Sequence, residues 1–174
     1  MRYFLDTEFM ESPGQIELIS IGIKCEDGRI YYAVNKDFNP ENANEWVVEN
    51  VFPYLVHDGK PLEPEAWKSI DEIRKELLNF IDKEPQFYAY FASYDWVAFC
   101  SCIFGRMIDL PEYFPKYIND VKSFANLIQE TLKFKILPIE DQENEHHALA
   151  DAKYTEMLYN LVMNYLRIYL PIKE

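Results

Sequence analysis

Five side chains in this sequence could together bind cations and move a proton: Asp6 and Glu8 near the start, Asp95 at mid-chain, and His146 and Asp151 near the end. Four carboxylates are hard oxygen ligands, and with no cysteine cluster beside them they suit Mg²⁺ or Mn²⁺ better than zinc. Two such ions ~3.5–4 Å apart would lower the pKa of a water and stabilise a leaving oxygen. A histidine with an ordinary pKa of ~6.5 would take that water's proton near neutral pH. The reaction class this describes is phosphodiester hydrolysis.

The elements that must position these groups can be read around them. Met1–Phe9 is a short apolar run ending in acid, which predicts a buried strand. Residues i and i+2 of a strand share a face, so Asp6 and Glu8 present their carboxylates side by side. Like charges that close repel, and a cation is the usual reason to tolerate them. A solvated strand edge would have the same pattern. Asp95 follows Gln86–Phe91, whose alternating aromatics predict a central strand, and a helix starting at Ser93 or Asp95 runs through Phe104. Ligand sites gather at such strand ends in α/β sheets. An Asp there is equally a favourable helix cap.

The last element, from about Glu145 to Ile168, has Tyr154, Leu158, Leu161, Val162 and Tyr165 at helical spacing. Asp151 stands within it among Ala148, Ala150 and Ala152, which admit close approach, and Glu143 belongs to the acidic run before it. Five helical residues rotate by ~140°, so His146 and Asp151 can serve one site only if His146 lies in a loop or first turn. His147, four residues before Asp151, shares its face and is the second candidate for the base. Adjacent histidines at a helix start are also read as a solvated pair, or as one sealing a core. His57, beside Asp58 in a Pro-rich loop, reads as solvated.

The remaining elements frame this set. Ile16–Lys24 and Arg29–Asn35 flank Asp27-Gly28, a hairpin signal. Asn39 as cap with Pro40 at the first helical position predicts a helix running towards Phe52 and stopping at Pro53. Residues 53–66 carry three prolines and predict a loop. Ser69-Ile-Asp-Glu72 is a capping box opening a helix to about Ile81. Pro111 and Pro115 bracket a loop, and Asp120 begins a helix to about Thr131. Hairpin strands first, then alternating helices and strands, predict an α/β mixed sheet flanked by helices. Its opening strands would be antiparallel and its later ones parallel. With no repeat or linker, residues 1–174 are expected to form a single domain.

Composition bounds the partners. Hydrophobic residues make up 49% and aromatics 16%, which excludes a disordered chain. Thirty acidic against 17 basic side chains give a net charge of −13, and setting four ligands aside leaves the surface acidic. A long duplex footprint, which demands a basic face, is argued against. Short contacts, metal-dependent binding and bases stacked on aromatic rings, at ~1–3 kcal/mol each, fit better. The three cysteines form no zinc spacing or disulfide framework, and the chain opens directly on the strand carrying Asp6. A reducing cytoplasm is therefore expected, and the oily stretch Phe87–Phe104 contains too many polar groups for a membrane span.

Asp6-Thr7-Glu8-Phe9, Tyr94-Asp95 and His146-x-Ala148-x-x-Asp151 resemble, in order and interval, the three motifs of the DEDDh 3′–5′ exonucleases, a branch of the ribonuclease H-like superfamily. The likeness extends over Met1–Phe9, Ile16–Gly22, Glu26–Arg29, Tyr31–Val34 and the Trp46 and Trp67 segments. There it is similar to the adenosine-preferring exoribonuclease of mycobacteria, the ribonuclease AS group, with residues 105–140 matching loosely. The resemblance implies single-stranded RNA 3′ ends or overhangs as substrate, two Mg²⁺ (or Mn²⁺) and a homodimer. It assigns metal binding to Asp6, Glu8, Asp95 and Asp151 and the general base to His146. Thr7, Phe9 and Trp67 are its substrate-binding candidates. His147 departs from relatives that often carry Asp there, and it fills the slot of the tyrosine base in the sister DEDDy branch. The five-residue interval to Asp151 favours His146.

Overall fold

The computed structural model describes residues 1–133 and 145–169. Glu143, and the part of the loosely matching 105–140 region after Lys133, lie outside them. A six-stranded sheet runs in the order β6-β3-β2-β1-β7-β8. Its strands are β1 (Arg2–Ser12), β2 (Gln15–Cys25), β3 (Ile30–Asn35), β6 (Trp67–Lys68), β7 (Gln86–Ala89) and β8 (Asn119–Asp120). The first three pair antiparallel, and β6, β7 and β8 join in parallel. A separate hairpin pairs β4 (Val56–His57) with β5 (Lys60–Pro61). The helices are α1 (Glu45–Asn50), α2 (Ile70–Phe80), α3 (Ser93–Ala98), α4 (Val121–Leu132) and α5 (Ala148–Tyr169).

Strand alternation sorts β1 onto two layers. Tyr3 and Leu5 enter a core with Ile73 and Leu77 of α2 and Trp96 of α3. Phe4 points the other way, against Val121 of α4 and Leu158 and Tyr159 of α5. Asp6 and Glu8 continue that second set, so both acids lie on the face that α5 covers. A third cluster joins Met10, Ile19 and Val34 to Val47 and Val51 at the α1 end.

Several local signals give the elements they predict. Ser69 and Glu72 form both halves of a capping box at the start of α2, and Asp120 caps α4 by accepting from the Lys122 amide. The helix expected over 39–52 is instead broken. Asn39 caps only a 3₁₀ turn, Pro40–Asn42, and Asn44 then caps α1 by accepting from the Val47 amide at 2.9 Å. Two competing caps five residues apart stop either from opening one continuous helix. The helix after β7 does reach Phe104, with its second half, Phe99–Phe104, wound as a π-helix. The opening strand runs past Phe9 to Ser12 because a bulge absorbs an extra residue: Glu8 pairs with Ser20 and Phe9 with Leu18, leaving Ile19 unpaired.

Gly22 sets how closely α5 approaches. It pairs with Asp6, and a β-carbon there would sit 2.3 Å from both the Ala148 carbonyl carbon and the Leu149 nitrogen. These are backbone atoms that cannot give way. The missing side chain lets the first turn of α5 rest on the sheet directly beside Asp6.

Candidate active site

β7 leaves the side of β1 early, since their pairing ends at Phe4 and Tyr88. The Thr7 amide lies beyond that last pair and finds Asp95 instead. Both the amide and the hydroxyl of Thr7 donate to Asp95 Oδ1 at 2.8 Å. The buried carboxylate is thus clasped to the strand that carries Asp6 and Glu8. Phe91, in the turn between β7 and α3, has a φ of 59°, and its amide donates to Asp120 Oδ1.

His146 stands in the turn before α5, with a left-handed φ of 70°. Its amide donates to Asp151 Oδ2 at 2.9 Å, folding the turn back over the helix. A residue with a β-carbon adopts that backbone rarely, and such positions cluster at functional sites. The geometry also resolves the angular problem: outside the helix, His146 can face the same point as Asp151. One donor atom from each of Glu8, His146 and Asp151 lies within 4.8 Å of the other two.

The carboxylates repel one another strongly. Burial first, then the charges of Asp95, Glu8 and Asp151, hold Asp6 well above the ordinary carboxylate range. Burial, with Asp151 and Asp95 nearby, pushes Glu8 up to about 8. Asp95 rises to about 7 through burial, against the opposing hydrogen bonds from Thr7. No lysine or arginine is among the described residues lining the surrounding cleft of about 720 Å³. The donor set is therefore all hard oxygen plus one imidazole, and it lacks a protein-supplied counter-charge. Divalent cations fit it on both counts.

The structure brings Asp6, Glu8, Asp95, His146 and Asp151 to one cleft, with Thr7 and Phe9 also lining it. Thr7 is buried, and its hydroxyl donates to Asp95 and so orients that carboxylate. Phe9 keeps to the opposite strand face, packed on the α2–α3 core, yet borders the cleft by stacking on Tyr94 at 5.7 Å between centroids. Trp67 is not among the described residues that line the cleft: its ring packs on Phe38, and its indole N–H is buried without a hydrogen-bond partner among the described residues. A Trp between a Pro-rich loop and a helix cap had two possible fates, and packing of the α1-end core took it.

Other rings border the cleft instead. Trp46, Phe91 and Tyr94 are 52%, 59% and 55% exposed and line it together with Tyr90 and Tyr154. In the sequence, Tyr94 carries the signal of adjacency to Asp95, and Trp46 only that of lying in a segment similar to the family.

Comparison with known proteins agrees with this geometry. Residues 1–163 match the model of the Rv2179c-like 3′–5′ exoribonuclease domain. The 3′–5′ exoribonuclease Rv2179c of Mycobacterium tuberculosis (strain H37Rv) is 40% identical over 126 residues, covering 70% of this chain and 72% of that protein. The counterpart of strain CDC 1551 matches equally. Among solved structures, S. pombe Pop2p, in a Mg²⁺- and Mn²⁺-bound form, superposes with a TM-score of 0.56 at 14% identity, covering 97% of this chain and 83% of that one. Exonuclease I superposes at 0.55 with 10% identity, covering 98% of this chain and 41% of that one. These last two likenesses are of fold, and the fold is that of the ribonuclease H-like exonucleases. By the span of the domain match and the identity to the mycobacterial enzymes, the chain belongs to the Rv2179c-like 3′–5′ exoribonuclease family.

Proposed function

We propose that this chain, as one catalytic domain over residues 1–174, hydrolyses single-stranded RNA 3′ ends or overhangs to nucleoside 5′-monophosphates by a two-metal mechanism. The observation that carries the reading is the convergence of Glu8, His146 and Asp151 within 4.8 Å, on the cleft that Asp6 and Asp95 also line. Asp6, Glu8, Asp95 and Asp151 would hold two Mg²⁺ or Mn²⁺. When bound, these cations neutralise the scissile phosphate, lower the pKa of the attacking water and stabilise the departing 3′-oxygen.

The chain's own groups do the rest. A ring nitrogen of His146 lies within 4.8 Å of a carboxylate oxygen of both Glu8 and Asp151, and the imidazole accepts the proton of the attacking water as that oxygen bonds to phosphorus. The phosphorus–O3′ bond breaks, its electron pair stays on the departing 3′-oxygen, and that oxygen takes a proton from solvent, so the shortened strand leaves with a 3′-hydroxyl. Thr7 keeps Asp95 turned into the site. Trp46, Phe91 and Tyr94 offer ring faces to unpaired bases, which suits a cleft whose described lining has no cation for the phosphates. Duplex bases, stacked on each other, cannot use those rings.

Three free cysteines accord with a reducing cytoplasm, and no described helix is long and apolar enough to cross a membrane. The family resemblance adds a homodimer, which sedimentation would reveal. The deciding experiment digests end-labelled RNA and DNA oligomers of identical sequence with Mn²⁺ and resolves the products by length. A ladder shrinking from the 3′ end of RNA is expected. Internal fragments would overturn the exonucleolytic reading, and DNA cut as fast as RNA would overturn the substrate assignment.

A further inference from the structure

We propose that Trp46 is a positioning residue that sets the orientation of the His146 imidazole; the inference rests on His146 being the base. Among the described residues, the imidazole makes no hydrogen bond. What ties His146 down is its backbone, through the amide donated to Asp151 at 2.9 Å and the left-handed turn. The ring's two torsions must therefore be fixed by packing. Trp46 supplies that packing: its ring lies 4.7 Å from the imidazole, centroid to centroid, at 78°. The other rings in contact with this turn, Tyr32 and Tyr54, lie against His147.

Trp46 is mounted to do this. It is the second residue of α1, whose start is capped by Asn44, and its carbonyl accepts from Asn50 Nδ2 at 2.8 Å. The next residue, Val47, is buried in the core at that end of the sheet. A short helix anchored on both sides thus holds a large ring that is itself half in water and turned to the cleft. An edge-to-face ring pair fixes an angle more sharply than aliphatic contact does. A base must meet its proton in a narrow geometry, and ~1 Å of misplacement can cost about 100-fold in rate.

The test is a double-mutant cycle with single-turnover rates on an end-labelled RNA oligomer. Trp46→Ala is expected to lower kcat by about 10- to 100-fold, with Mn²⁺-induced thermal stabilisation unchanged. Trp46→Phe, which keeps an edge-on ring, should recover kcat to within about threefold, while Trp46→Leu, which keeps apolar bulk without a ring, should not. In a His146→Ala background, Trp46→Ala should cost no further kcat, since a residue acting through the imidazole has nothing left to act on. An equal loss in both backgrounds, or a change confined to KM, would overturn the proposal and make Trp46 a platform for substrate alone. Trp46→Leu matching Trp46→Phe would overturn it too, and it remains a valid comparison if the alanine variant folds poorly. Near-native turnover by His146→Ala itself would instead refute the base assignment on which the proposal stands.

Discussion

His146 and His147 are neighbours in sequence and occupy opposite worlds. His146 faces carboxylates across an open cleft. His147 is sandwiched away from them: it stacks on Tyr32 at 4.5 Å, meets Tyr54 edge-on, and its Nε2 lies 3.7 Å from Glu63 Oε1. Its Nδ1 is buried with no hydrogen-bond partner among the described residues. The divergence comes from the backbone. His147 stands one residue ahead of the helix, with its carbonyl accepting from the Ala150 and Asp151 amides, so helical spacing does not reach it. The left-handed residue before it turns in the reverse sense. One histidine opens on the cleft, and the other is packed between rings.

That contrast can be broken in four ways. The largest effect is expected at the carboxylates: Asp6→Ala or Asp95→Asn should abolish turnover, well beyond the ~100-fold that loss of an outer partner costs. Circular dichroism should show the fold retained; measurable activity in either variant would dissolve the metal site. Next, His146→Ala should slow hydrolysis by ~10²–10⁴-fold, the range of a general base, with Mn²⁺ binding kept. His147→Ala should change kcat less than tenfold while lowering Tm by several degrees, through loss of a buried ring. Reversed sensitivities would exchange the two roles.

Gly22→Ala tests the frame beneath both histidines. Its β-carbon would strike the α5 backbone, shifting His146 and Asp151 together relative to Asp6. A loss of about 100-fold in activity and a lower Tm are expected, whereas wild-type rates would show that α5 can sit elsewhere.

The smallest effect is a pH dependence of the metal-free protein. Glu8 at about 8, Asp95 at about 7 and Asp6 well above its usual value bind protons in the folded state that the unfolded chain, with carboxylates near ~4, releases. Stability must then fall as pH rises through that window. Calorimetry should find Tm declining from about pH 5 to pH 8 without metal, and Mg²⁺ should flatten the decline. A metal-free Tm that rises over this range would mean the acids are not crowded as described.

Much of this was readable beforehand, for reasons specific to each element. Alternation along Met1–Phe9 put Asp6 and Glu8 on one face because a strand's period admits no other outcome. The Ser69 capping box and the Asp120 cap worked because their hydrogen bonds are local. The mixed sheet followed from hairpin strands preceding alternating helices and strands, and its ribonuclease H-like class from the resemblance of the three motifs. What sequence could not supply depended on contacts distant along the chain. Asn39 and Asn44 are both good caps, and nothing nearby says that the second one wins. The environment of His147 is made by Tyr32, Tyr54 and Glu63, each more than 80 residues away. Trp46 and Trp67 have equally apolar neighbours, and only assembly of the sheet decides which one meets the cleft.

The unpaired Ile19 has a consequence of its own. In an unbroken strand Ile19 and Ile21 would point the same way, yet Ile21 belongs with the α2–α3 layer and Ile19 with the α1 end. The single additional residue works as a switch in the weave, sending one continuous aliphatic run into two different interiors. It falls immediately after Glu8, so the outer arm of the ribbon can drift or diversify while the acids stay in step with Ser20 and Gly22. Excising Ile19 would leave Leu18 opposite Phe9 in regular register, on the α2–α3 side it already occupies, and would take from the α1-end core the side chain that β2 sends there.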